Sequence, residues 1–478
     1  MEVKVASNLL IANETSGLQF IMIILKIGII CRFILPTYIR TKSSKIITFI
    51  YYSLFVPLLI AILFKSFTSQ PLLFHQEGSI LPALVLALWI PTIYARYQRI
   101  YWNIFSTYSI IIALLLFFLM MVFSSSRIIT LFIFFELSLV PVILILFIGG
   151  RSKGKLEAGL YMFFFTSSSA FIFLIFLILR RLSQNGEMLN LLTRGASFQS
   201  SFIIRGSSNY RSKISFFIYN ATTMIMLVKT PLFFLHMWLP KAHVEAPVFT
   251  SMVLASLLLK TGGFGYLVLS SNYFGVLGSI FCASSFVITL AILAAARCRA
   301  QKDLKGLIAY SSVNHMAVIL CGILFGLSSS IFGRVLVMVG HGVISSALFY
   351  LASITYNQMG TRSSFFRLTL SKSNINSLFW ILLSVINAGL PPFIIFSGEI
   401  LIMKAAFSYP HLMFLFLVNY ILVGYYTCLL MTKVVLSKFS SPAGSLNRIG
   451  LPPFKRISVI LMHLTILLTW SLTFPRLL

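Results

Sequence analysis

From about Leu18 onward, uncharged apolar runs close to twenty residues long follow one another along the chain, parted by short basic stretches. That repetition constrains the fold more than any motif does. In hydrocarbon the backbone must satisfy its own N–H and C=O groups, so runs of this length read as membrane-spanning α-helices. Charged residues fill 10% of the 478 positions and hydrophobic ones 59%, whereas a soluble domain carries roughly 25% charged residues. A chain so poor in charge cannot cover a water-facing surface. The pattern predicts an all-α polytopic membrane protein with about fourteen transmembrane helices. Glu2, Lys4 and Glu14 surround a short apolar patch near the start, an order unlike that of a cleavable leader.

Lys and Arg number 37 against 9 Asp and Glu, giving a net charge of +28. The cations cluster between apolar runs, as at Arg40, Lys42 and Lys45, or at Arg151, Lys153 and Lys155. Dispersed over many loops with no soluble domain beside them, they fit acidic partner subunits or anionic lipid headgroups, cardiolipin among them, better than nucleic acid. They occur on loops of both parities and so fix no orientation. The longest polar stretch, 181–213, has too little apolar content for a core and reads as an extramembrane loop. Five scattered cysteines with no CxxC pair suggest isolated thiols. "GGRSKGKL" at 149–156 approaches a phosphate-binding loop, but Leu156 stands where Mg²⁺ needs a hydroxyl and no strand precedes it. His243 and Glu245 do not form an HExxH zinc pair, and no nucleophile triad or redox-centre ligand set is visible. No metal and no cofactor is expected in this chain.

Two apolar runs contain prolines. Pro231 interrupts the run at 214–236, and Pro391 and Pro392 interrupt the run at 374–406, five spans later. Prolines in matching spans point to a transporter built from repeats. Each removes a donor and frees a carbonyl one turn earlier, which a membrane tolerates only inside protein or beside water. Loop prolines are the alternative, but their place within long runs favours broken helices facing an internal wet path.

Charges inside the runs sharpen this reading, since a charged side chain at bilayer depth costs about 3 kcal/mol or more. Glu136 lies in "LFIFFELSLVPVILILF", Lys260 in "SMVLASLLLKTGGFGYLVL" and Glu399 in "PPFIIFSGEILIMKAAF", with Lys229 just before Pro231. Snorkelling or a structural ion pair is the bland alternative; it suits Lys404, near the end of its run, and is stronger for Lys229 than for the central Glu136 and Lys260. His315 and His341 lie on successive spans with Ser311, Ser312, Asn314, Ser345 and Ser346 close by, a set that suggests a polar file, although single membrane histidines are often packing residues. The glycines beside His341 would leave room for water. Such groups suit proton movement. Burial disfavours the charged form of a lysine or a carboxylate, and an opposite charge restores it. Changing the separation of Glu136 and Lys229 would therefore load and unload the lysine, with histidine relaying near neutral pH.

At these residues the chain resembles the chain 4 family of respiratory NADH–ubiquinone oxidoreductase (complex I), in its mitochondrially encoded form. The resemblance is carried by "FFELSLVP" (134–141), "VKTPLFFLHMWLPKAHVEAP" (228–247), "SMVLASLLLKTGGFGY" (251–266), "DLKGLIAYSSVNHM" (303–316), "GHGVISSALFYLA" (340–352) and "SGEI" (397–400), in the family's order. It implies an antiporter-like fold with two inverted five-helix repeats, 101–270 and 273–436, between an N-terminal three-helix segment, 1–100, and a C-terminal helix, 437–478. It implies a proton-translocating membrane-arm subunit of the mitochondrial inner membrane, partnered by other membrane-arm subunits including the paralogous chains 2 and 5. NADH, FMN, iron–sulfur clusters and ubiquinone would belong to other subunits. Carried over by motif, Glu136 and Lys229 form the in-membrane pair, Lys260 the central relay, His315 and His341 the continuing path, and Glu399 the terminal group. The acid at Glu399 favours chain 4, because the paralogues place lysine there. His236 and His243 would be gatekeepers at the surface near the first break, or packing residues. Thr261, Asn314 and the bulky "PVFTSM" (247–252) depart from the family pattern, as does the high positive charge; none removes a titratable group. A cation/proton antiporter of the same fold and a structural subunit with a disabled channel remain as alternatives.

Overall fold

A computed structural model describes residues 105–125, 128–150, 154–183, 227–270, 277–359, 374–407, 409–435 and 453–473, together with Leu88. The expected three-helix segment at 1–100 is thus outside the described residues but for Leu88, and so are the polar stretch beyond Ser183 and the first part of the run at 214–236. All described residues belong to one compact unit, Ile60–Leu478.

Among the described residues every regular element is helical. α1 (Phe105–Ser124), α2 (Ile128–Gly149) and α3 (Lys155–Ser183) are followed by the interrupted stretch around Pro231 and by the short α4 (Trp238–Glu245). α5 comprises Val248–Val253, a π turn at Leu254–Leu258, and Leu259–Ser270. Then come α6 (Leu277–Ala300), α7 (Leu304–Phe325), α8 (Ser328–Met359), α9 (Asn374–Asn387), α10 (Ile394–Ala406), α11 (Pro410–Val435) and α12 (Pro453–Thr473). The order repeats. Three unbroken helices, an interrupted one and another unbroken one occur twice, with α9 and α10 as the halves of the second interrupted helix. A set of five with an interrupted fourth member is the order expected of two inverted repeats at 101–270 and 273–436. Seven described helices are long and apolar enough to cross a membrane.

Burial separates an inner group from an outer one. The spans Val248–Tyr266, Leu304–Phe325 and Ser329–Asn357 are 94%, 89% and 100% buried, against 33–44% for the other four. α8 is the hub and packs against α5, α7, α9, α10 and α12. α2 shows the outer kind of helix: Ile129, Ile133, Leu137, Val140, Leu144 and Ile148 are exposed at helical spacing, an apolar stripe suited to lipid or an apolar neighbour. Polar side chains therefore turn inward, the reverse of a soluble bundle.

Close backbone approach fixes the inner helices. A Cβ on Gly333 of α8 would stand 2.7 Å from the Gly398 carbonyl oxygen of α10, and one on Gly398 would stand 2.7 Å from that of Gly333. The absence of two side chains lets α8 and α10 touch, as membrane helices do where small residues meet.

Candidate functional site

The first break begins at the proline. Residues 227–229 are helical, and Pro231 has no N–H with which to continue. Leu232 N–H reaches back to the Leu227 carbonyl at 3.3 Å, and the Val228 carbonyl accepts from the Trp238 indole at 3.1 Å. Two carbonyls left by the break are thus satisfied inside protein, as a membrane requires. Phe234 turns the chain with φ 79°, a left-handed conformation rare outside glycine. The chain then re-enters a helix at Trp238, eight residues that the sequence reading left between spans. Lys305, in the first turn of α7, donates to the Ala246 carbonyl at 2.9 Å, placing a cation at the C-terminal end of α4.

Lys229 hangs from this break and forms an ion pair with Glu136 of α2, with its ammonium 3.5 Å from the centroid of the Phe135 ring. The side chains differ in exposure, 7% for Lys229 and 25% for Glu136, so the lysine is the inner member. What joins this pair to the rest of the site is backbone. A Cβ on Gly262 of α5 would lie 2.9 Å from the Lys229 carbonyl carbon and from the Thr230 nitrogen. Gly262 thus lets the broken segment rest directly on α5, two residues from Lys260.

Lys260 is fully buried. The sequence reading expected an uninterrupted span here, but α5 carries a π turn that ends next to Leu259, whose N–H reaches the Leu254 carbonyl five residues back. The wide turn places the Ala255 carbonyl 2.6 Å from the Lys260 ammonium, which donates to it. The same ammonium lies 2.9 Å from Nδ1 of His341 on α8. The His341 and His315 rings follow at 5.3 Å between centroids, and His315 Nδ1 lies 3.3 Å from Glu399 Oε1, a contact that is an ion pair only when the imidazole carries a second proton. Lys260, His341, His315 and Glu399 therefore form one buried line that enters the second repeat and ends on its broken helix.

Glu399 sits one turn into α10, beyond the second break. Two residues past the end of α9, Gly389 takes φ +67°, and a Cβ there would come within 2.8 Å of Glu399 Oε2. Only glycine combines that backbone with that clearance. Tyr420 of α11 donates to the Gly389 carbonyl at 2.9 Å and holds the turn.

All six expected residues are thus placed: four in one line and two in a pair packed against it. Three details differ from the sequence reading. Ser311, Ser312, Ser345 and Ser346 donate to carbonyls three residues back in their own helices, and Asn314 bonds Ala291 and Asn419, so the direct line is Lys, His and Glu alone. On the Gly340 side of His341 the space is filled, because a Cβ there would meet Ile394 and Ile395 at 2.7 Å. His236 and His243 are buried, not superficial: His236 stacks on Phe233 and His243 on Phe349, with centroids 4.8 and 4.4 Å apart. Trp238, Gly389, Tyr420 and the buried Arg334 of α8 went unnoticed in the sequence. Arg334 alone left a plain signal, a charge six residues into the apolar helix that begins at Ser328.

The family profile described as "NADH:quinone oxidoreductase/Mrp antiporter, TM" matches residues 125–423. NADH-ubiquinone oxidoreductase chain 4 of Petromyzon marinus is 35% identical over 291 residues, which is 60% of this chain and 61% of that one. The chain thus spans less than two thirds of the length of that relative. Two solved assemblies contain chains of the same fold. One is respiratory complex I from Thermus thermophilus with bound NADH, at TM-score 0.68 and 21% identity, covering 89% of this chain and 91% of that one. The other is an archaeal membrane-bound sulfane sulfur reductase, at TM-score 0.73 and 16% identity, covering 92% and 91%.

Proposed function

Since the chain belongs to the NADH:quinone oxidoreductase/Mrp antiporter membrane family, we propose that it is a proton-translocating subunit in the membrane arm of a respiratory NADH–ubiquinone oxidoreductase. One observation carries the reading: the buried line from Lys260 through His341 and His315 to Glu399, with the Glu136–Lys229 pair packed beside it. Ionisable groups cost too much at bilayer depth to be kept for packing alone.

The geometry supports a sequence of hand-offs. Glu136 is the counter-ion of Lys229. When the two separate, only the face of the Phe135 ring still favours the charged ammonium, burial opposes it, and Lys229 gives up its proton toward Lys260. Lys260 and His341 share a short contact through which the proton passes to the imidazole. His315 receives it across the tilted ring pair and delivers it to the Glu399 carboxylate. Both broken helices carry an end group of this route, so a tilt at either break changes a distance within it. The redox step, with NADH, FMN, iron–sulfur clusters and ubiquinone, is assigned to other subunits. The partners are other membrane-arm subunits, including the paralogous chains 2 and 5, with anionic lipids around the basic loops. The membrane is the mitochondrial inner membrane, as the relatedness to chain 4 proteins supports.

The test is Glu399→Gln in the assembled complex, which keeps the shape and removes the carboxylate. NADH-driven proton uptake into vesicles should fall to a few per cent or less, as expected when a positioned proton-transfer group is lost. Normal uptake with normal assembly would sink the proposal. A sodium–proton antiporter of the same fold would instead show transport that follows sodium, yet Na⁺ prefers several oxygen ligands. The two carboxylates named here, the half-buried Glu136 and the buried Glu399, lie on different helices far apart in the chain.

A further inference from the structure

Asn314 and His315 are neighbours on α7, and their side chains serve different helices. His315 turns toward His341 of α8 and Glu399 of α10, whereas Asn314 turns toward α6 and α11. The Asn314 amide is fully buried and uses both of its N–H bonds. Nδ2 donates to the Ala291 carbonyl of α6 at 2.9 Å and to Asn419 Oδ1 of α11 at 2.6 Å. A backbone carbonyl can only accept, so the Ala291 bond fixes which end of the Asn314 amide is the nitrogen. Asn419 is itself buried, and the next residue along α11 is Tyr420, whose hydroxyl donates to the Gly389 carbonyl at 2.9 Å. Gly389 is the residue whose missing Cβ makes room for Glu399 Oε2.

These bonds close a ring around a single contact. From His315 the ring runs by backbone to Asn314, by hydrogen bond to Asn419, and by backbone to Tyr420. It continues by hydrogen bond to Gly389 at the second break and by close approach to Glu399, which faces His315 at 3.3 Å. That separation already lies at the outer end of the N–H···O range, so an outward shift of about 1 Å opens it. Apolar contacts resist separation but let helices slide, whereas a buried asparagine pair fixes register at some expense of stability. We infer that Asn314 and Asn419 are positioning residues for the proton step between His315 and Glu399. Their bond holds α7 to α11 within one residue of the point where α11 grips the second break, and so sets the His315–Glu399 separation. On the relay reading, on which this role rests, that separation governs the last hand-off, and a misplacement of ~1 Å there slows it by up to ~100-fold.

The experiment replaces both asparagines in the assembled complex, Asn314→Leu with Asn419→Leu, which keeps the branched shape of each side chain and leaves neither partner stranded. Two quantities are read from the same preparation: NADH-driven proton uptake into vesicles per assembled complex, and the His315 Nδ1–Glu399 Oε1 distance in a density map. The distance should open to ~4 Å or more, and uptake should fall at least ~10-fold. Tyr420→Phe, which cuts the ring at its other hydrogen bond, should move both quantities the same way. An unchanged distance in either variant overturns the positioning role, whatever the uptake. Should the leucine pair fail to assemble, Tyr420→Phe decides alone; failure of both marks the bonds as structural and overturns the role equally. The relay reading is judged separately: an opened contact with normal uptake sinks the relay and leaves the two asparagines as what sets the distance, whereas slow uptake with an unchanged contact sinks only the positioning role.

Discussion

Replacing Lys260 by methionine keeps an unbranched, flexible side chain and removes the ammonium that the relay requires. Two contacts go with it, to the Ala255 carbonyl at 2.6 Å and to His341 Nδ1 at 2.9 Å. An unmet buried polar atom costs about 1–3 kcal/mol, so the two lost contacts destabilise by a few kcal/mol. Against this, an ammonium no longer has to be buried, which saves several kcal/mol because Lys260 is fully enclosed. The two effects nearly cancel, and the complex should assemble. Transport should not survive, since loss of a positioned proton-transfer group costs about 10²–10⁴-fold. Arginine provides the complementary test, because it keeps the charge and the donors but releases no proton. NADH-driven quenching of a pH-sensitive dye in vesicles, normalised to assembled complex on native gels, should show both Lys260→Met and Lys260→Arg below a few per cent of wild type. Near-normal pumping by Lys260→Met would refute the relay. Near-normal pumping by Lys260→Arg would reduce Lys260 to a fixed charge.

Three further outcomes follow from the same geometry. Glu136→Gln leaves the Lys229 ammonium buried without its counter-ion and should destabilise by about 2–4 kcal/mol, below the full value for a deeply buried pair because Glu136 is 25% exposed; adding Lys229→Met should recover much of the loss in thermal unfolding of the purified complex. Gly389→Ala should cost about 1–3 kcal/mol in backbone strain and push the Glu399 carboxylate aside, so its pumping should fall well below that of Gly424→Ala, where a Cβ meets nothing within 4 Å. Trp238→Phe removes the donor to the Val228 carbonyl and should lower stability by about 1–3 kcal/mol, read as a lower unfolding midpoint, with a larger effect on proton uptake than on NADH oxidation.

The fold class was written in the length and spacing of the apolar runs, because helix length in a bilayer is set by hydrocarbon thickness alone. Glu136, Lys229, Lys260 and Glu399 stood out in the same way, since a charge inside such a run is costly wherever it appears, whereas His315 and His341 stood out only by their place on successive runs among polar neighbours. What stayed hidden depends on contacts between distant segments. The π turn before Lys260 contains only leucine, alanine and serine, which fit an ordinary helix just as well. Trp238 and Tyr420 look like routine aromatic residues until their polar ends are seen on the carbonyls at the two breaks. Gly389 looks like a turn residue, and its clearance for Glu399 emerges only when α10 folds back. The serines misled in the opposite direction. A hydroxyl in a membrane helix finds its own carbonyl three residues back before it finds a partner on another helix. Arg334 was legible by the same rule as Glu136 and was passed over because it lies close to the start of its run.

The most direct test concerns the step between Lys229 and Lys260, which Gly262 crosses by backbone packing. A density map of the assembled complex, sharp enough to place ordered water, should show water linking the two ammonium groups and the Glu136 carboxylate turned toward protein. A dry, apolar gap there, with Glu136 facing lipid, would contradict a continuous protonatable route between the repeats.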